Sequence, residues 1–99
     1  MNDEQREAKF REQISSGIEA TDFLNNKQYV SSVKAMKKEL FAEFTKTKYQ
    51  QSNERDEIWR KMQSLDWVHN RMERIARDGR QAQSMLTRLI NAITGKEND

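Results

Sequence analysis

From Glu54 to Thr94 the chain runs for about 41 residues with no proline and one glycine, Gly79, while apolar side chains return every three or four positions. A stretch of that length and period is an α-helix, roughly 60 Å long at 1.5 Å per residue. Asn53 is expected to cap it. Glu54, Asp56 and Glu57 follow in the first turn, where carboxylates offset the positive end of the helix dipole. Gly95 is expected to end it by taking a left-handed conformation, leaving residues 95–99 as a tail. The apolar seam starts with Ile58, Met62, Leu65 and Val68 and continues through Met72, Ile75, Gly79, Ala82, Leu86, Leu89 and Ile93. From Val68 onward the steps alternate four and three, a coiled-coil register. The two successive threes from Met62 to Val68 are a local break that divides the helix into two halves.

The rest of the chain reads as two shorter helices. Residues 3–24 carry Phe10, Ile14, Gly17, Thr21 and Leu24 on one thin face, with Ile18 beside it. Asn25-Asn26 is the first break, since asparagine tolerates turn geometry and caps the helix that follows. Residues 27–46 place Tyr29, Val33, Met36, Leu40 and Phe44 on one face, widened by Val30 and Phe41, and Lys34, Lys37 and Lys38 on the other. Residues 45–53 lack apolar periodicity and form the second connection. The expectation is therefore an all-α fold in one domain spanning 1–99: three helices, with helices two and three as an antiparallel hairpin.

Composition narrows this further. Only 34% of the 99 residues are hydrophobic and an equal share are charged, so apolar groups must lie in narrow stripes. Cysteine is absent, which excludes disulfides and makes a reducing cytoplasm the default compartment. No apolar run approaches the roughly 20 residues of a membrane span, so no membrane partner is expected. Helix two, about 30 Å long, covers only half of helix three. Helix one looks too poor in apolar residues to cover the rest, with Gly17 and Thr21 interrupting its face. A second copy of the chain is the expected cover, seated on the self-association seam Val68, Met72, Ile75, Gly79, Ala82, Leu86, Leu89 and Ile93.

Sites that carry chemistry are sparse. The net charge is +2, but residues 1–26 hold six acidic and three basic side chains, whereas residues 27–53 hold six lysines against Glu39 and Glu43. Arg71, Arg74, Arg77 and Arg80 recur every third residue and spiral over about half the helix surface, with Arg88 further on. Guanidinium forks match phosphate oxygens, so this spiral is the candidate site for an anionic small ligand such as a nucleotide; a solvated face is the simpler alternative. Trp67, if exposed beside Arg71 and Arg74, is the candidate partner hot spot. Trp59, next to Ile58, is expected in the core. His69 is the only histidine and has no glycine-rich nucleophile turn to serve, so a half-buried or capping role is expected rather than catalysis. No metal or cofactor set is apparent: transition metals need convergent soft or imidazole ligands, and the Glu54, Asp56, Glu57 cluster is accounted for by the helix dipole.

Four segments together resemble a pattern of small helical proteins of tailed bacteriophages: Phe23-Leu24-Asn25-Asn26, Phe41 to Thr45, Glu54-Arg55-Asp56-Glu57-Ile58-Trp59 and Asp78-Gly79-Arg80-Gln81-Ala82. The resemblance spans Leu24 to Ala82, about two thirds of the chain. It implies a phage or prophage origin, host-cytoplasmic or virion-associated, and carries over no functional residues. It favours the roles phages give to short helical proteins: virion assembly, packaging accessories and inhibitors of host defence. The expected function is accordingly non-enzymatic self-association and protein binding, with a host or virion protein as partner. Two alternatives stand beside it. One is an anti-defence protein that sequesters a nucleotide signal or blocks a defence protein; the other is a nucleic-acid-binding module, whose affinity would fall steeply with salt.

Overall fold

A computed structural model describes the backbone of residues 2–98 and the side chains of residues 2–95. The chain is all-α, with α1 at Asp3–Asn25, α2 at Lys27–Lys46 and α3 at Ser52–Asn98, and no strand among the described residues. Local signals fix the first two helix starts. Asn2 accepts from the Gln5 N–H at 2.8 Å while the Gln5 side chain accepts from the Asn2 N–H at 3.1 Å, a reciprocal capping box. Asn26 alone interrupts α1 and α2: its extended backbone ends one helix, and its side chain accepts from the Tyr29 N–H at 3.0 Å to start the next.

The third helix is longer than its sequence punctuation implies. It starts at Ser52, with the Gln51 carbonyl accepting from the Arg55 N–H at 3.1 Å, so Asn53 lies inside the first turn and is not the cap. Its backbone passes through Gly95 to Asn98, and no glycine has positive φ. Gly95 therefore does not terminate the helix, because packing nearby does not force the αL turn that glycine permits. Asp99, the end of the expected tail, lies outside the described residues.

Both shorter helices run antiparallel to α3. Tyr29 meets His69, Lys37 meets Asp66 and Phe44 meets Arg55, so α2 lies on the N-terminal half of α3 as the hairpin reading requires. The tip is clasped by Arg55, which stacks on the Phe44 ring at 4.1 Å and donates to the Thr47 Oγ1 at 2.9 Å. Meanwhile α1 packs along the C-terminal half, with Gly17 against Gly79 and the Phe10 end beside Met85 and Leu89. The first two helices thus form one broken arm facing one continuous arm, and the molecule measures 73 × 27 × 17 Å.

Part of the C-terminal seam, where a second copy was the expected cover, is occupied by α1, and the expectation that α1 buries little holds, since its buried residues are Gly17 and Ala20. Gly17 is the contact itself. A Cβ on Gly17 would stand 2.7 Å from the Gly79 Cα, and a Cβ on Gly79 would stand 2.8 Å from the Gly17 Cα and 2.9 Å from the Gln13 carbonyl oxygen. Only backbone meets backbone there, so the helices approach more closely than side chains would allow. Ala20, Ala76 and Ala82 flank the crossing and are buried, as is Leu86 beyond it.

The crossing also shifts the seam. Ile58, Met62, Leu65, His69, Met72, Ala76 and Gly79 form the inner row, buried or half-buried in alternating steps of four and three, with Arg55, Ile75 and Asp78 half-buried beside it. Val68 and Ile75 are displaced one residue to the flank by His69 and Ala76, and Val68 is exposed. The two successive threes fall from Ala76 to Ala82, at the glycine crossing, and not between Met62 and Val68. With His69 on the inner face, Trp59 turns outward and is 54% exposed, contrary to the core position expected for it. Along α2, Tyr29, Val33, Leu40 and Phe44 are only half-buried, and Met36, Val30 and Phe41 are exposed. The broadest apolar stripe in the sequence therefore belongs to the helix with no buried residue.

Two glycine substitutions should separate helix propensity from packing. Alanine is favoured over glycine in a helix by about 1 kcal/mol. Gly95→Ala, with nothing within 4 Å of the added methyl, should leave stability unchanged or raise it by up to that amount. Gly79→Ala should destabilise by about 1–3 kcal/mol despite the propensity gain, because two backbones must move apart. Urea unfolding followed by circular dichroism at one fixed protein concentration checks both.

Candidate binding site

The arginine spiral is divided between two surfaces. Trp67, 70% exposed, lies on the outward side of α3 beside a shallow depression lined by Gln63, Ser64, Asp66 and Asn70. Arg71 and Arg74, one and two turns further along, share that outward face and are exposed. Arg77 and Arg80 rotate toward α1 and line a groove of about 590 Å³ with Thr21, Leu24, Asn25, His69, Glu73 and Ala76. Trp67 therefore keeps Arg71 and Arg74 as neighbours, whereas Arg77 and Arg80 belong to a different surface. None of these arginines, nor Arg88, makes an ion pair among the described residues. Glu73, one of the acids that could have neutralised them, is engaged elsewhere.

Its partner is His69. The imidazole is half-buried on the inner face, with Nδ1 3.1 Å from the Tyr29 hydroxyl and Nε2 2.9 Å from a Glu73 carboxylate oxygen. In the neutral ring facing an ionised Glu73, Nε2 donates to the carboxylate and Nδ1 accepts from the tyrosine hydroxyl. Tyr29 is held in turn by Phe23, whose ring centroid lies 4.2 Å from its own. This Phe23–Tyr29–His69–Glu73 chain sits where α1 gives way to α2, and it ties both to α3 at one height. The His69–Glu73 step, four residues on a helix, is legible from spacing; the link to Tyr29 depends on the register between helices.

The self-association seam is likewise divided. Gly79, Ala82 and Leu86 are buried within the chain, Met72, Ile75 and Leu89 are half-buried, and Val68 and Ile93 are exposed. Ala20 and Ala76 are buried at the same crossing and were not distinguished by the sequence reading. Their signal was the three-residue spacing from Gly17 to Ala20 and from Ala76 through Gly79 to Ala82. Among the described residues no His, Asp and Glu cluster is placed to hold a metal ion, and no helix is long and apolar enough to cross a membrane.

The tyrosine–histidine bond yields a quantitative expectation. Tyr29→Phe removes the donor to Nδ1 and should cost about 0.5–1.5 kcal/mol, the net worth of one partly buried hydrogen bond. In a double-mutant cycle with His69→Ala the two losses should be non-additive, since the pair shares a single interaction. Additive losses would show that the bond contributes nothing. Comparison with known proteins adds no further constraint on the site: no protein-family model, no curated protein and no solved structure matches the chain.

Proposed function

We propose that this chain is a non-enzymatic, self-associating helical protein that works by binding other proteins through its helix faces. The observation that carries this reading is excess surface. Its accessible area is 8148 Å², against about 5,900 Å² for a compact monomer of 11.8 kDa. The radius of gyration is 21.0 Å, against about 13 Å for a compact chain of this length. Buried apolar residues are few among the described residues, namely Ala20, Ile58, Ala76, Ala82 and Leu86, and three of them are alanines. Ordering a backbone costs about 1–2 kcal/mol per residue, and so thin a core offsets little of it. On this reading folding is coupled to association, as the role of assembly or packaging accessory suggested by the phage resemblance requires.

A second reading, sequestration of an anionic nucleotide signal, is favoured by one feature: Arg77 and Arg80 in the groove beside Asn25 and Thr21. The Glu73 carboxylate on the same groove opposes it, which places it second. It predicts that a nucleotide panel raises the melting temperature of the protein and that Arg77→Ala abolishes the shift. No shift with any nucleotide removes this reading.

For the leading reading, light scattering and circular dichroism across a concentration series are decisive. Molar mass and helicity should rise together with concentration, and thermal stability should depend on concentration as it does for coupled folding and assembly. A monodisperse monomer at micromolar concentration, with unfolding independent of concentration, contradicts self-association.

A further inference from the structure

Four of the twelve exposed large apolar side chains among the described residues share one flank of the hairpin. Val30 and Phe41 are 50% and 60% exposed. They share one stripe of α2 with Lys37, seven residues after the first and four before the second. Lys37 reaches Asp66 at 2.8 Å, and Trp59 lies seven residues before Asp66 on the same stripe of α3. Phe41 and Trp59 therefore stand on one flank of the hairpin, near its tip. Glu73, seven residues after Asp66, continues that flank into the groove containing Thr21 and Arg80. The adjoining apolar groove, which shares Thr21 and Arg80, is lined by Ile14 and Ile18. Ile18 is 58% exposed. One flank thus carries Ile18, Val30, Phe41 and Trp59 along most of the molecule's length.

Two properties of that flank say what covers it. The first is spacing. Ile18 precedes Val30 by twelve residues and Phe41 follows it by eleven, about 18 Å and about 16 Å along a nearly continuous arm. A two-fold axis beside Val30 brings Ile18 of one copy onto Phe41 of another. The second is charge. The arm is acidic in its first half, net −3 over residues 1–26, and basic in its second, net +3 over residues 27–46. Antiparallel docking opposes these signs, and the same axis turns Asp22 toward Lys34 and Lys37 of the other copy; parallel docking would oppose like charges.

We infer that a second copy of this chain docks antiparallel on the flank carrying Ile18, Val30, Phe41 and Trp59, with a two-fold axis beside Val30, so that each α1 lies against the other copy's α2. This inference rests on the self-association reading and adds to it a surface, a direction and an axis.

Because the chain has no cysteine, single-cysteine variants and a short bifunctional maleimide test it directly. Val30→Cys should cross-link to itself within the associated protein. Ile18→Cys and Phe41→Cys should cross-link to each other when mixed and not alone, with circular dichroism confirming that each variant is helical. Phe41→Asp should weaken association by about 30-fold or more, as loss of an interface anchor does. Self-linking of Phe41→Cys without linking to Ile18→Cys would mean a parallel arrangement or an axis beside Phe41, and either overturns the proposal. So would a wild-type assembly in which these cysteines do not link and Val68→Cys does, which places the contact on the opposite flank. A wild-type monomer would instead remove the self-association reading itself.

Discussion

The backbone contact between Gly17 and Gly79 governs the rest of the molecule. By omitting two Cβ atoms it lets α1 lie against α3 at a distance no other residue pair in the chain would permit. Close approach draws Ala20, Ala76 and Ala82 into the interface. It also sets a limit. An interface built from glycine and alanine excludes water well but removes little apolar area, and hydrophobic stabilisation scales with that area at about 25 cal/mol per Å². The helices that pack most closely therefore contribute modest burial, while the large side chains of α2 rest on the flanks of a hairpin too thin to enclose them.

From this follows a division of labour along the 73 Å hairpin. The α1 half is close-packed and poor in apolar area; the α2 half is rich in apolar area and loosely packed. Polar contacts hold the second half in register: Arg55 at the tip, Lys37–Asp66 along the side and Tyr29–His69–Glu73 at the helix break. The Lys37–Asp66 pair is about half exposed, and such pairs contribute little stability. They orient the arms and leave the energetic need for further burial in place. A helical protein arranged in this way is suited to presenting faces to other chains, which is the property that joins the fold to the proposed role.

Much of the architecture was legible because it is local. The Asn26 cap, the helix class and the α2–α3 hairpin depend on a few neighbouring residues and on period, whereas the cap expected at Asn53 does not form. The seam was read one residue out at Val68 and Ile75, because α3 carries two adjacent apolar stripes and only the partner decides which faces inward. Ala20 and Ala76 gave no hydrophobic signal, since alanine serves equally on a surface or at a close crossing; Gly17, taken as a defect in the first helix, was the indication that the crossing exists. Trp59 was assigned by residue type, yet its neighbour Ile58 takes the inner position, and a step of 100° per residue sends the ring outward. Of the candidate site, the pairing of Trp67 with Arg71 and Arg74 follows from helix spacing alone. The separation of Arg77 and Arg80 from them required knowing where α1 lies.

The central claim is that one chain is half of an assembly whose copies lie side by side along their length. Small-angle X-ray scattering across a concentration series measures mass, length and cross-section together. Twice the mass of a single 11.8 kDa chain is expected, in a particle only about 10 Å longer than the 73 Å of one chain, given 1.5 Å per helical residue, that gains chiefly in cross-section. A particle of single-chain mass with a radius of gyration of 21.0 Å would contradict it, as would a doubled mass that came with a doubled length.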